Sequence, residues 1–342
     1  MRRRRLLFRG GIAVLLMAAL LATAQSSQAD DEPDWYPGLP NSTFGQYAST
    51  SQGSMAYAKR AKQWFISPTG MVTAEYITEN APEDAGNGPD ETSHVLVPAE
   101  GYFVSPKGAP ANYGYLEAMT VRSVGFGMIP VEATVQVSQR RANGLPIPVR
   151  VVLDGNNVMY VDGGRRVKDY TVKETKVSDS FNVQILDVKV DGVDLELNGD
   201  CRTVEPAPVS MVGPGYVILD YDRTANYGEQ DWYLEHDIST YYNPIKGGEL
   251  TGTMTIPPFT GCTTKAGDDL SRLMTLSVSG PDNPVKARTG YPCPFEVDGR
   301  NAPAPPGASN PQLGDAHIPS PLLDPGYCPG IKPFEYPARA DR

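Results

Sequence analysis

Alternation of apolar and polar residues with a period of two constrains this chain more than any other feature. In VEATVQVSQ, Val131, Ala133, Val135 and Val137 share one parity, and a β-strand sends that parity to one face. FNVQILDVKVDGVDLELNGDC continues the pattern on both sides of Asp191-Gly192, a dipeptide that tolerates the positive φ of a tight hairpin turn. Before that turn, Val183 and Ile185 hold one parity, and Leu186, Val188 and Val190 the other. The switch calls for a β-bulge near Ile185 and Leu186. GMVTAEYIT, HVLVPAEGYFVS, IPVRVVL, VMYV, YVIL, ELTGTMTI and PVKART read as further strands, with turns expected at DGNN (residues 154–157) and DGG (residues 162–164).

Two stretches depart from the alternation. In GDDLSRLMTLSVSG, Asp268 or Asp269 is expected to cap a short helix that turns Leu270, Leu273 and Met274 to the core. MAYAKRAKQWFI, residues 55–66, reads as a second short helix with Tyr57, Ala61 and Trp64 on one face. With 34 glycines and 32 prolines punctuating the strands, the expected class is mainly β: an antiparallel β-sandwich-like domain with one or two short helices and irregular Pro-rich ends.

The first residues, MRRRRLLFRGGIAVLLMAALLATAQSSQAD, join a cationic start to an apolar run from Ile12 to Ala24 and a small polar stretch. That is the pattern of a secretory signal peptide over residues 1–29. The apolar run is shorter than the roughly 20 residues of a membrane span, and no later run reaches that length, so no transmembrane segment is expected after signal removal. Removing Arg2, Arg3, Arg4, Arg5 and Arg9 from the 30 basic residues leaves 25 against 40 acidic ones, a net charge of −15. Such a surface repels phosphate polymers, which excludes nucleic acid as a partner. Residues 30–114 read as an N-terminal segment with few strands, too poor in apolar residues for a core of its own and so packed on the main domain. Residues 115–298 read as the β-sandwich-like domain and residues 299–342 as a Pro-rich tail.

Cys201, Cys262, Cys293 and Cys328 are the only cysteines. An even count in an exported chain reads as disulfides. Three pairings are open, and the expected one is the sequential order, Cys201–Cys262 with Cys293–Cys328, the second tying down the tail. The cysteines form no C-x-x-C pair of the kind zinc sites use, and the chain has no Gly-x-Ser-x-Gly elbow to supply a nucleophile for His94, His236 or His317. No catalytic residue, metal site or cofactor is therefore expected. The densest polar-aromatic stretch is LDYDRTANYGEQDWYLEHD. Its Asp220, Asp222, Asp231, Trp232, Glu235 and His236 form the candidate ligand-binding set. Paired carboxylates do acid–base work on glycosidic bonds, and aromatic faces line sugar or cation sites. The plainer reading is an exposed loop with aromatic residues packed beneath it.

The segments VKVDGVDLELNGDCRTVEPAPVSM, LTGTMTIPPFTGC and SGPDNPVKARTGYPC, spanning roughly residues 181–293, resemble a pattern in uncharacterised secreted proteins of actinobacteria. The resemblance implies a secreted β-rich scaffold and favours Cys201–Cys262; it brings no catalytic residues with it. The expected function is a secreted, non-enzymatic protein, extracellular or associated with the cell wall, with a cell-wall glycan or another envelope protein as candidate partner. The alternative is a glycan-binding or glycan-cleaving protein that uses residues 220–237. Titration of the unfolded, unreduced mature protein with a thiol reagent is expected to find no reactive cysteine; two or more would refute the disulfide assignment.

Overall fold

Hydrogen bonding between the alternating segments puts most of the described residues in strands. The computed structural model describes residues 46–76, 91–106, 108–125, 129–218, 240–243, 247–292, 296–297, 300–301 and 331–337. In chain order the strands are β1 (Gln46–Ala58), β2 (Gln63–Ile66), β3 (Gly70–Tyr76), β4 (Glu91–Val104), β5 (Met119–Gly125) and β6 (Ile129–Gln139). Next come β7 (Arg141–Ala142), β8 (Leu145–Pro146), β9 (Val149–Asp162), β10 (Arg165–Val190), β11 (Val193–Asp194) and β12 (Arg202–Thr203). The series ends with β13 (Ala207–Ile218), β14 (Tyr242–Asn243), β15 (Gly247–Ile256), β16 (Phe259–Thr260), helix α1 (Ser271–Val278), β17 (Gly280–Pro292), β18 (Glu296–Val297) and β19 (Arg300–Asn301).

Eight of these strands pair in an unbroken antiparallel circuit: β1–β3–β4–β9–β10–β13–β15–β17 and back to β1. The fold is mainly antiparallel β, as expected. Its opposed walls belong to one sheet that wraps around and meets itself where β10 pairs with β13. Closure removes the open edges that a sheet must otherwise protect. Close approaches along the circuit require glycine. A Cβ on Gly252 would stand 1.9 Å from the Ser210 carbonyl oxygen, and one on Gly155 would stand 2.5 Å from that of Thr171.

Strand β10 serves two structures because it is 26 residues long. Residues 170–181 pair with β13 in the ring, and residues 181–190 leave it to pair with β6, which in turn pairs with β5. The register shifts between Ile185 and Asp187, the bulge that the parity switch demands. Helix α1 covers this extension through Met274 and Val278, above a cluster that includes Val183, Ile185, Val188 and Phe259. The disulfide Cys201–Cys262 lies inside the same cluster, with neither residue exposed. The Ile185 N–H donates to the Cys201 carbonyl and the Leu270 N–H to the Cys262 carbonyl, each at 2.8 Å, so the bridge links β10 to the helix. With its cysteines 61 positions apart in the chain, it restricts the unfolded chain by about 4 kcal/mol.

Several sequence expectations need correction. Residues 55–66 form no helix: the end of β1 and β2 make a hairpin in which Tyr57 pairs with Trp64, their ring centroids 4.9 Å apart. Cross-strand pairing joins the same side chains that helical spacing would have aligned, and β1 is held on its other edge by β17. DGNN is no turn either. Residues 154–157 run through the middle of β9, paired with β4 on one side and β10 on the other; the turn is at Gly163 and Gly164, both at positive φ. Of residues 30–114, β1, β3 and β4 are ring strands. Asp269 accepts from the Ser271 N–H at 2.9 Å at the start of α1, but Leu273 stays 40% exposed instead of entering the core. The Cys293–Cys328 pairing and the signal peptide lie outside the described residues.

The outer wall carries charge and a covering segment. Glu249, only 3% exposed, is held by Arg288 at 2.8 Å and Lys286 at 3.0 Å. Arg288 also donates to the carbonyls of Lys332 and Pro333 and lies 4.0 Å over the Phe334 ring. Ile331 packs on Gly53 of β1, where a Cβ would stand 2.8 Å from its Cδ1. Residues 331–337 therefore lie along the β1–β17 seam. Arg288→Ala leaves Glu249 short of its guanidinium, at a cost of about 3 kcal/mol. The expected result is a melting temperature lower by roughly 6–12 °C and faster proteolysis after residue 330; unchanged values of both would show that the contact holds nothing in place.

Candidate functional site: a cavity inside the closed sheet

Parity decides which side chains of a closed sheet point inward. Ala56 and Ser54 of β1, Val72 and Ala74 of β3, and Gly101 and Phe103 of β4 all face the interior, as do Val149 and Val151 of β9. An eight-stranded ring is just wide enough to be filled by its own side chains or to hold one small ligand. Here the inward set includes too many small residues to fill it, among them Ala56, Ala74, Gly101 and Ala287. The result is a cavity of about 580 Å³. It continues from the ring into the extension, past Val131, Ala133, Ile185 and Leu195, to the inner side of α1 at Met274 and Val278. A sealed dry void of this size would cost about 14 kcal/mol at about 24 cal/mol per Å³. That is close to the whole stability of a domain, about 5–15 kcal/mol, so the space is too large to be a packing defect.

Polar groups in the lining are few and mostly satisfied. Tyr242 is buried, and burial pushes its phenol pKa up while a hydrogen bond with Thr289 works in the opposite direction. The phenol therefore stays neutral through the physiological range. The Ser54 and Ser67 hydroxyls lie 2.8 Å apart, and Ser67 also donates to the Ser54 carbonyl. Arg60, on the turn between β1 and β2, is the one charged residue among the described residues that line the cavity. The site is thus an apolar chamber without an acid–base pair and with a single cation. Its chemistry is burial of apolar surface, worth about 25 cal/mol per Å².

The candidate residues from sequence, Asp220, Asp222, Asp231, Trp232, Glu235 and His236, lie outside the described residues. Cys201 and Cys262 are joined in the disulfide and are structural. His94 pairs with Asp154 across β4 and β9, its Nε2 2.8 Å from Oδ1. No described group of three or more His, Cys, Asp or Glu could hold a metal ion. The cavity itself escaped the sequence reading. Its trace there is a few scattered small residues, Ala56, Ala74, Gly101, Ala133 and Ala287, at inward parity, visible only once the inward side is known.

Comparison with protein-family models, with curated proteins and with solved structures found no match for this chain. The His94–Asp154 pair has one consequence that can be measured. The hydrogen bond from His94 holds the Asp154 carboxyl below its usual pKa, so its contribution is complete above the unfolded Asp value of about 3.9 and fades as pH falls through the lowered folded value. Carboxyl NMR should show Asp154 titrating below the unfolded aspartate value of about 3.9, and His94→Ala should raise it toward that value. An Asp154 titration unmoved by that substitution would refute the coupling.

Proposed function

We propose that this chain is an exported, non-catalytic binding protein that encloses an apolar small molecule in the interior of its closed sheet. The observation that carries the reading is the under-filled interior. At about 580 Å³ it falls within the range of about 300–1,000 Å³ typical of ligand pockets, which are mostly apolar with a few placed polar groups. The walls support a soluble carrier over a membrane-embedded barrel. Apolar side chains point in, while Arg150, Lys176, Lys286 and Arg288 alternate with them on the outer side, the reverse of a lipid-facing wall. Among the described residues no helix is long and apolar enough to cross a membrane. The disulfide is compatible with the oxidising space outside the cytoplasm, which agrees with the amino-terminal sequence pattern. An acidic surface of net charge −15 for the mature chain would keep such a carrier dispersed.

Filling the cavity tests the reading directly. The mature protein should bind N-phenyl-1-naphthylamine, a neutral probe whose fluorescence rises in apolar surroundings. Ala133→Leu and Ala287→Phe add carbon where the lining is thin, so they should weaken probe binding by about tenfold or more without lowering the melting temperature, because they occupy empty space. A tightly packed interior would behave oppositely. Each substitution would then be destabilising by about 1–3 kcal/mol and probe binding would be absent or unchanged, which would overturn the proposal.

A further inference from the structure

We infer that the ligand is an amphiphile with one acidic head group, its hydrocarbon chain in the cavity and its head against Arg60. This inference rests on the binding role proposed above and narrows it to a chemical class. Arg60 belongs to the turn KRAK (residues 59–62) that joins β1 to β2. Lys59, Arg60 and Lys62 are all exposed, and among the described residues none of the three makes an ion pair. Three exposed cations on one turn stand out in a mature chain of net charge −15.

The turn is held in place. The Lys62 N–H donates to the Lys59 carbonyl at 3.3 Å, and the Lys59 N–H donates to Asn283 Oδ1 at 2.9 Å. Asn283 is itself 1% exposed, and its Nδ2 donates to the carbonyls of Gly280 at 2.7 Å and Met254 at 3.3 Å. The Arg60 side chain lies across the start of β17, where a Cβ on Gly280 would stand 3.6 Å from its Nε. A fixed turn therefore holds a guanidinium at the border of the cavity, with Ile129 (38% exposed) and Leu273 (40% exposed) also both lining the cavity and open to solvent.

The interior favours the same orientation. Its deeper polar pair, Tyr242 and Thr289, is already hydrogen-bonded to itself and bears no charge, so an acidic head drawn inward would lose its water and find no cation. The chain goes in and the head stays at the turn. A guanidinium presents paired N–H donors to a carboxylate or to a phosphate oxygen pair alike, so the shared chemistry is a single acidic head on an apolar chain.

Two fluorescent ligands of equal chain length separate this inference from the reading beneath it: cis-parinaric acid, and its methyl ester, which lacks the charge. The intact mature protein should bind the acid about fivefold more tightly than the ester, the scale of one exposed charge pair, and added salt should narrow the gap. Arg60→Gln should bring the acid to the ester's affinity and leave the ester unchanged, while Arg60→Lys should keep part of the preference. A long-chain alkyl phosphate competing against bound parinaric acid distinguishes the head groups: stronger displacement than by a fatty acid assigns phosphate, weaker displacement assigns carboxylate. Equal binding of acid and ester, or an acid preference that survives Arg60→Gln, overturns the inference while leaving an apolar cavity. Failure of both ligands to bind removes the cavity reading itself.

Discussion

The pairing of β10 with β13 is the contact on which the rest of this structure depends. Without it the chain would be an open antiparallel sheet with two exposed edges and no inside. With it, residues 170–181 of one long strand close the ring against residues 207–218, and the inward parity of eight strands becomes an interior. The same strand then leaves the ring and builds the extension with β5 and β6, so the chamber and its far end share one backbone. Glycines at the closest approaches and the bulge near Ile185 let β10 do both.

A closed sheet of this size has a choice between filling its interior and keeping it open. Phe103 and Phe181 stack on each other, and alanines, serines and Gly101 stand among the valines, leucines and isoleucines of the lining. Stability therefore has to come from elsewhere. The buried disulfide restricts the region beside the cavity, and the outer wall adds a buried carboxylate held by two cations with residues 331–337 laid over it. The first packs against residues that also line the cavity, and the second lies on the outer side of the ring.

Much of this was legible in the residues, and the failures have physical causes. The parity switch at Ile185–Leu186 marks a bulge because a strand has only two faces. Asp191-Gly192 and Gly163-Gly164 mark turns because positive φ is costly elsewhere. The same logic misfired at DGNN, where pairing with a neighbour on each side holds residues 154–157 extended and overrides their turn preference. It misfired again at residues 55–66, where good helix formers were recruited into a hairpin by the edge of β17. The acidic and aromatic candidates between residues 220 and 237 are conspicuous in the sequence and lie outside the described residues, whereas the cavity is lined by residues that say little singly.

The amino-acid sequence alone determined that this chain would be strand-rich and acidic, that Cys201 and Cys262 would pair, and where one bulge and two of its turns would fall. Each is set by local chemistry or simple counting. Only the tertiary structure decided that the strands close into a ring, which parity faces inward, and that Arg60 stands at the border of the chamber. Those outcomes depend on contacts between residues far apart in the chain, and a pattern with a period of two is the same whichever face ends up inside.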